Sequence, residues 1–458
     1  MRRDAATLAL AGGLAISAGP GSASTLAPDP VLPGGPVFEI EEIANALPAD
    51  PGNNVAAPVV IDGAVHVVDQ LGRILRQSGS GFAEVLGPSA GALPAGLSLT
   101  SSRAVLNVAD GPGNRVFVAF TSDTLPAGLT ASPLPDTPTF DTVQPAYQII
   151  YRFEQQSGGA LTAPVPLTAF EYRPGFHEGG GMLELPGTGD VLFATGDNNQ
   201  FDADGDVHPQ DETSHLGKIF IIDGETGEVS LAAKGVRNVQ RLTLVDDGQR
   251  VAFADIGAQT AEEINSIALA RLLARLKDTA QVENFGWGRD PLGDNTSREG
   301  TFLIGQTPNN AATAAATLDP AFEWPDAQIG REGAPFIAIS GPVASEAFAT
   351  ITALFGDLPS GKLYATRAPW GSGPAEVFAV SLVETGGAPT SLFQIAGDAR
   401  PDPRFFTFAD GSAGVLLERT GSLYRLTEVT AVPGPGAAVG LATALALFAG
   451  VGRRRRAA

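Results

Sequence analysis

The strongest constraint on the fold is a pattern that recurs along the whole chain: a short apolar strand, a loop, and a second strand often led by glycine. It first occurs in AVHVVDQLGRILRQ, from Ala64. NRVFVAFTSD then pairs with YQIIYRFEQQSG across a proline-rich insertion around Pro133 to Pro138, and DVLFATGDNN with GKIFIIDGETGEV. QRVAFADIGA leads into EEINSI, GKLYATRAPW pairs with AEVFAVSL, and GVLLERTGSLYRL ends the series at Leu426. Strand pairs repeated about six times at roughly even spacing predict an all-β chain folded as a β-propeller. Two stacked β-domains are the competing arrangement, and a β-sandwich would need fewer strands. INSIALARLLARLKDT, from about Ile264, places leucines and isoleucines on one face and predicts a single inserted helix on the outside. One domain is expected from about Pro36 to about Thr430.

Composition agrees with that pattern. Gly 56 and Pro 35 in 458 residues, with 7% aromatic and 17% charged residues, suit a turn-rich β protein. A formal net charge of −21 argues against a nucleic-acid or anionic-membrane partner. With no cysteine, disulfides, thiol catalysis and Cys-ligated metal sites are excluded.

Both ends read as processing signals. Residues 1–23 hold two arginines, an apolar stretch and a small-residue site near Gly21-Ser22-Ala23, which predicts a secretory signal cleaved after Ala23. Residues 432–458 hold a Pro/Gly break, an apolar run from Ala437 to Gly452, and four arginines, Arg453 to Arg456. The run is shorter than the roughly 20 residues that span a bilayer comfortably, and the arginines would stay cytoplasmic. This tripartite tail resembles the PEP-CTERM bacterial sorting signals in their Val-Pro-x-Pro variant. That resemblance implies export, recognition by an exosortase-type enzyme and loss of the tail; a plain C-terminal membrane anchor is the alternative. Either way the body is expected outside the cytoplasm: in the periplasm, at the cell surface or beyond it.

The chain has four histidines, and one of them, His177, stands two residues before three consecutive glycines in FHEGGGMLELPGTGDVLFATGDNN. Glycine lets the backbone approach another group closely or take φ > 0. A histidine fixed in that way can face a ligand, or it can be a strand-edge residue beside a bulge.

An ordered set of segments decides between them. FHEGGG, VLFATGDNN, HPQDETSHLGKIFIID, KGVRNVQRLTL, ADIGAQTAEEIN and NFGWGRD follow one another from Phe176 to Asp290. Together they resemble the soluble quinoprotein glucose dehydrogenase and aldose sugar dehydrogenase family, also called glucose/sorbosone dehydrogenases. The resemblance is weaker but colinear from Val60 to Phe153 and from Gly361 to Leu426. It implies a six-bladed β-propeller that uses pyrroloquinoline quinone (PQQ) and Ca²⁺ to oxidise a sugar or alcohol hydroxyl, passing electrons to an acceptor.

The resemblance also assigns roles. His177 matches the general base that takes the hydroxyl proton, a task suited to neutral imidazole. Arg237 matches the arginine that stabilises charge on the reducing quinone, and Asn238 follows it in the family's motif. Val239 and Arg241 replace that motif's proline and second glycine. Gly257 and Ala258 match a Gly-Pro pair whose carbonyls bind Ca²⁺, which accepts backbone oxygens readily. Glu263 matches a carboxylate that holds a second Ca²⁺ in some members. Gln210 falls at a cofactor-contacting glutamine, and Asn284, Gly286 and Trp287 match Asn-Tyr-Gly-Trp. A late cofactor-contacting lysine has only Arg367 nearby, and Arg404 is the candidate for a blade-six arginine. An early glutamine has no counterpart around Ser101 and Ser102. Asp202, Asp204 and Asp206 alternate around Gly205, which suggests a solvated loop with weak Ca²⁺ affinity at most. These departures keep a second expectation open: a propeller without cofactor, acting as a surface or matrix binding module.

Overall fold

The structure, a computed structural model, describes residues 34–429 except 47–53, 88, 91–92, 101–103, 136–143, 175–176, 199–207, 259–260, 279, 289–297, 300–301, 304–316, 326–337, 371–376 and 398. The expected signal and tail, Ser101, Ser102 and the Asp202 to Asp206 loop lie outside the described residues.

The strand pairs assemble as six blades of a β-propeller. Blade 1 is Val55–Ile61, Ala64–Asp69, Ile74–Ser78 and Gly81–Leu86. Blade 2 is Val105–Asp110, Arg115–Ser122, Ala146–Gln155 and Leu161–Tyr172, edged by Ala131–Ser132. Blade 3 is Gly179–Glu184, Val191–Thr195, Lys218–Ile222 and Val229–Lys234, edged by Glu283–Asn284. Blade 4 is Thr243–Val245, Arg250–Asp255, Ala261–Ala268 and Phe322–Pro325. Blade 5 is Ile339–Val343, Ala353–Asp357, Leu363–Thr366 and Phe378–Ala379.

Blade 6 closes the ring. Pro403–Thr407, Ala413–Leu417 and Ser422–Val429 come from the end of the chain, and the fourth strand, Val37–Asn45, comes from its start. Val37 pairs with Val429 and Ile40 with Leu426 in an antiparallel ladder, while Ser381–Glu384 pairs parallel along the other edge.

Each blade is apolar on both faces, so its central strands are continuous buried runs: Val191–Thr195 and Lys218–Ile222 are buried at every position. The core accordingly divides into six clusters, one between each pair of neighbouring blades. Leu185 and Ile221 of blade 3 meet Leu242 and Phe253 of blade 4, and Phe406 and Leu423 of blade 6 meet Val55 and Val67 of blade 1. No single element completes the core; it forms by closing the circle.

Two helices occur among the described residues. Helix α1 is Leu269–Leu276, not a helix from Ile264: Ile264 and Ile267 belong to the blade 4 strand Ala261–Ala268, where they are buried. The β-branched Ile264 and Ile267 fill the inter-blade clusters, which a strand allows and which overrides the helical spacing. α1 then lies outside the ring, burying only Leu272, and Arg275 Nε donates to the Leu231 carbonyl at 2.8 Å. Helix α2, Leu392–Ile395, is capped by the Ser391 hydroxyl. No helix among the described residues is long and apolar enough to cross a membrane.

Candidate active site

The first strand of each blade lines the axis. Its start faces a small cavity bounded by Ala57, Leu106, Gly179, Asn238, Ser340 and Arg404, and its end faces a wider funnel at the opposite mouth. His177 enters just before the blade 3 inner strand, so it belongs to the first end.

Two glycines place it there. Gly179 takes φ +68°, and a β-carbon on it would stand 2.5 Å from the Gly196 amide nitrogen. A β-carbon on Gly196 would be driven into the His177 carbonyl. The backbone before blade 3 therefore lies directly on the end of the Val191–Thr195 strand, and the register shifts between Gly179 and Met182. Both readings of the glycines hold at once: a bulge is present, and it carries the histidine. His177 itself takes φ +29° and Asn198 φ +60°, a conformation that residues with a β-carbon rarely adopt. Asn198 is clamped there by the Arg173 backbone, accepting from its N–H and donating to its carbonyl at 2.8 Å.

His177 Nδ1 meets Asp197 Oδ1 at 2.7 Å, with the imidazole one-fifth exposed and the carboxylate buried. The other oxygen of Asp197 accepts from Trp287 Nε1 at 2.9 Å. The Trp287 ring lies 5.3 Å from the Arg237 guanidinium carbon, within cation–π range. Four side chains from four separate loops thus form one line from imidazole to guanidinium. Sequence reasoning missed Asp197, because GDNN at a strand end reads as a turn.

Arg237 is pinned from both sides. Its amide and that of Asn238 donate to the buried Asp255 carboxylate, at 2.8 and 2.7 Å. Burial pushes the Asp255 carboxyl up to about 7, against the lowering effect of those amides and of Arg237. The guanidinium Nη1 donates to the carbonyls of Ile256 and Gly257, both at 2.8 Å. Glu262, fully buried, holds the same loop by accepting from the Gly257 amide at 3.2 Å and from Ile339 of blade 5 at 3.1 Å.

This geometry bears on calcium. A divalent ion on the Gly257 carbonyl would have to share that oxygen with the Arg237 guanidinium, a like charge, which repels it. With Arg237 in place, the residues do not fit Ca²⁺ on these carbonyls. Glu263 lies in the blade 4 strand, buried, in register with Asp255 on one side and Glu323 on the other. Among the described residues no group of three or more His, Asp or Glu side chains could hold a metal.

The remaining candidates divide. Asn238 reaches the axial cavity, and its Oδ1 accepts from the Gly179 amide at 3.3 Å. Gln210 is buried in a reciprocal amide pair with Asn284, at 2.9 and 2.8 Å, and also donates to the Trp287 carbonyl. It positions the tryptophan. Lys218, fully buried, holds the loop carrying Gln210 by donating to the carbonyls of His208, Pro209 and Leu216. Arg404 reaches the cavity with Nε 2.9 Å from Glu418 and Nη1 2.6 Å from Gln240. Arg367 is not brought to the site. It follows the strand Leu363–Thr366, whose last residue pairs with Ala353, level with the funnel end of blade 5; its exposed guanidinium stacks 4.2 Å from the Phe378 ring.

No family model and no curated protein matches the chain by sequence. Solved structures do match its fold. The PQQ-bound form of aldose sugar dehydrogenase from Streptomyces coelicolor superposes with a TM-score of 0.51 at 17% identity, covering 86% of this chain and 99% of that one. The soluble aldose sugar dehydrogenase from Escherichia coli, in its apo-form, gives 0.53 at 17% identity, covering 85% and 99%. A calcium structure of a Trichoderma reesei carbohydrate-active enzyme of family AA12 gives 0.51 at 14% identity, covering 88% and 98%. At these identities the likeness establishes the fold, a six-bladed propeller whose structural neighbours include sugar dehydrogenases.

PQQ is an aromatic tricarboxylate. Arg237, Arg241 and Arg404 at the His177 end of an otherwise acidic protein, with a buried Arg241 Nε that has no hydrogen-bond partner, suit such an anion. The donor set fits the quinone better than it fits the metal.

Proposed function

We propose that the chain is an exported oxidoreductase that removes hydrogen from a sugar hydroxyl with PQQ as cofactor. The observation that carries this reading is the line His177–Asp197–Trp287–Arg237 at one end of the propeller axis. The quinone, when bound, would accept the hydride. His177 supplies the complementary step: with Nδ1–H donated to Asp197, the lone pair on Nε2 is left to take the hydroxyl proton. Asp197 stabilises the imidazolium that results, and its bond to Trp287 keeps it from swinging away. Arg237 holds a fixed positive charge where negative charge develops, which is worth a few kcal/mol in a site that excludes water. Because that guanidinium already lies on the Gly257 carbonyl, it takes the charge-stabilising part that Ca²⁺ bound by Gly257, Ala258 or Glu263 would otherwise play.

The signal at residues 1–23 and the segment at 432–458 support export followed by processing, and a separate acceptor would collect the electrons. Mass spectrometry of the exported protein tests the first point: an intact Arg453 to Arg456 block would remove the sorting reading and leave the anchor.

A second reading is favoured by one observation. Arg404 and Gln210, both expected against the cofactor, are already paired within the protein. A non-catalytic binding propeller would look the same. Titrating the purified protein with PQQ separates the two: a shifted quinone absorbance, with dye reduction on adding aldoses, supports the oxidoreductase. No binding at micromolar PQQ leaves the binding module.

A further inference from the structure

Arg241, one of the arginines at the His177 end, takes no step in the proton and hydride transfer above. It leads into the blade 4 inner strand and turns to the axis, where Nη1 donates to the Pro58 carbonyl of blade 1 at 2.8 Å. Its Nε is buried without a hydrogen-bond partner. It shares the axial cavity with Arg404, Asn238 and Gly179, two residues from His177, and the cavity holds about 40 Å³. Arg404 is neutralised by Glu418. Among the described residues no carboxylate pairs with Arg241; the acidic side chains of the funnel below, Asp110, Glu184, Asp246, Asp247, Glu346 and Asp410, line its walls without bonding to it. Burial, and then Arg404, push the Arg241 guanidinium down to about 10.

The cavity is therefore lined by two cations, one already paired with a carboxylate and the other, Arg241, bonded only to a carbonyl. Leaving a charge so placed without a counter-ion is costly. The volume admits one small group and excludes a ring.

We propose that this cavity is an anion site, in which Arg241 and Arg404 grip one carboxylate of a ligand bound at the His177 end. The ligand's position rests on the function proposed above, but the anion site does not. The carboxylate has two possible sources, a cofactor carboxylate or that of an acidic sugar.

Binding to the full chain, followed by calorimetry and thermal melting, tests it without reference to turnover. Acetate at constant ionic strength should raise the melting temperature of the wild type, and acetamide should not. Arg241→Gln should abolish that shift and weaken binding of PQQ or of glucuronate, whichever carries the gripped carboxylate, 10- to 100-fold, as loss of a charged hydrogen bond does. If the source is the cofactor, the loss falls on PQQ. If the source is the substrate, PQQ affinity stays and the preference for glucuronate over glucose disappears. Acetate and PQQ binding that depend equally little on Arg241, with no preference for glucuronate, would overturn the site and leave the quinone reading intact. Arg241-dependent acetate and glucuronate binding without any PQQ binding would keep the site and remove the quinone. Should Arg241→Gln fail to fold, the acetate and acetamide comparison in the wild type still decides: no acetate shift overturns the site.

Discussion

His177 stands in a backbone conformation that is unfavourable for a residue with a β-carbon, and its surroundings hold it there. His177→Ala removes the proton acceptor but leaves Gly179, Gly196 and the Arg237 contacts. Turnover with PQQ should fall by roughly 10²–10⁴, while PQQ affinity changes little, because a base acts mainly in the transition state. An unchanged rate in the folded, cofactor-loaded variant would end the catalytic role of this histidine. Arg237 gives a sharper test of the charge arrangement. In the wild type, Ca²⁺ and chelator should leave the melting temperature unchanged, since the guanidinium already lies on the Ile256 and Gly257 carbonyls. Arg237→Gln exposes those oxygens, so Ca²⁺ should then raise the melting temperature. Calcium stabilising the wild type instead would show that the guanidinium yields to the ion. His177 and Arg237 could both be singled out in the sequence because their neighbours are unusual: three glycines after one, Asn238 after the other. Asp197 could not, because a buried carboxylate and a turn aspartate are spelled alike, and only the fold brings Trp287 to it.

Strand ends, more than strands, set the geometry of the site. Gly196→Ala would drive a methyl group into the His177 carbonyl, and the two backbones must separate. We expect a loss of about 1–3 kcal/mol, as in other overpacked sites, and a drop in turnover larger than that loss explains. Melting and rate measured on one preparation check it; a variant matching the wild type in both would show that the contact is not needed. The blade interiors carry the pH response. His66, mid-strand in blade 1, and His215, above blade 3, are both pushed down to about 4, chiefly by burial. Each stays neutral in the fold while the unfolded chain gains a proton below about 6.5. The unfolded state therefore binds more protons between about 6.5 and 4, and stability falls as pH falls through that window. Asp255 acts in the opposite sense: its raised pKa favours the fold at low pH and is a penalty above about 7. His66→Phe should flatten the acid limb by an amount of order 3 kcal/mol by pH 4, read from denaturant midpoints at a series of pH values. An acid limb as steep as before would assign the loss to other groups. Arg367 shows why linear motifs mislead at this scale. Successive strands of a blade run in opposite directions, so a residue one strand-length from its expected place comes out at the other mouth of the axis.

For the molecule as a whole, the alternation of strand pairs was enough to read a propeller, because each pair must bury both faces against its neighbours. The start of helix α1 was not readable, since Ile264 and Ile267 suit a strand and a helix equally until their packing partners are known. Nor was the closing strand Val37–Asn45, whose partner is at the far end of the sequence. Phe38 in that strand is fully buried between blades 5 and 6. Phe38→Ala should cost about 3–5 kcal/mol in one cooperative transition, measured by denaturant unfolding; loss of blade 6 alone, with the rest still folded, would show that the ring tolerates opening. The position of that strand also orders events in time. The first piece of the body to be made is the one whose ladder partner is made last, so it waits through the synthesis of every other blade. During that interval the nascent molecule is an open arc with a bare edge, the state in which β proteins join copies of themselves. Glu39, Glu41 and Glu42 in the waiting strand repel such copies, and negative charge there guards the chain before it has a fold to protect.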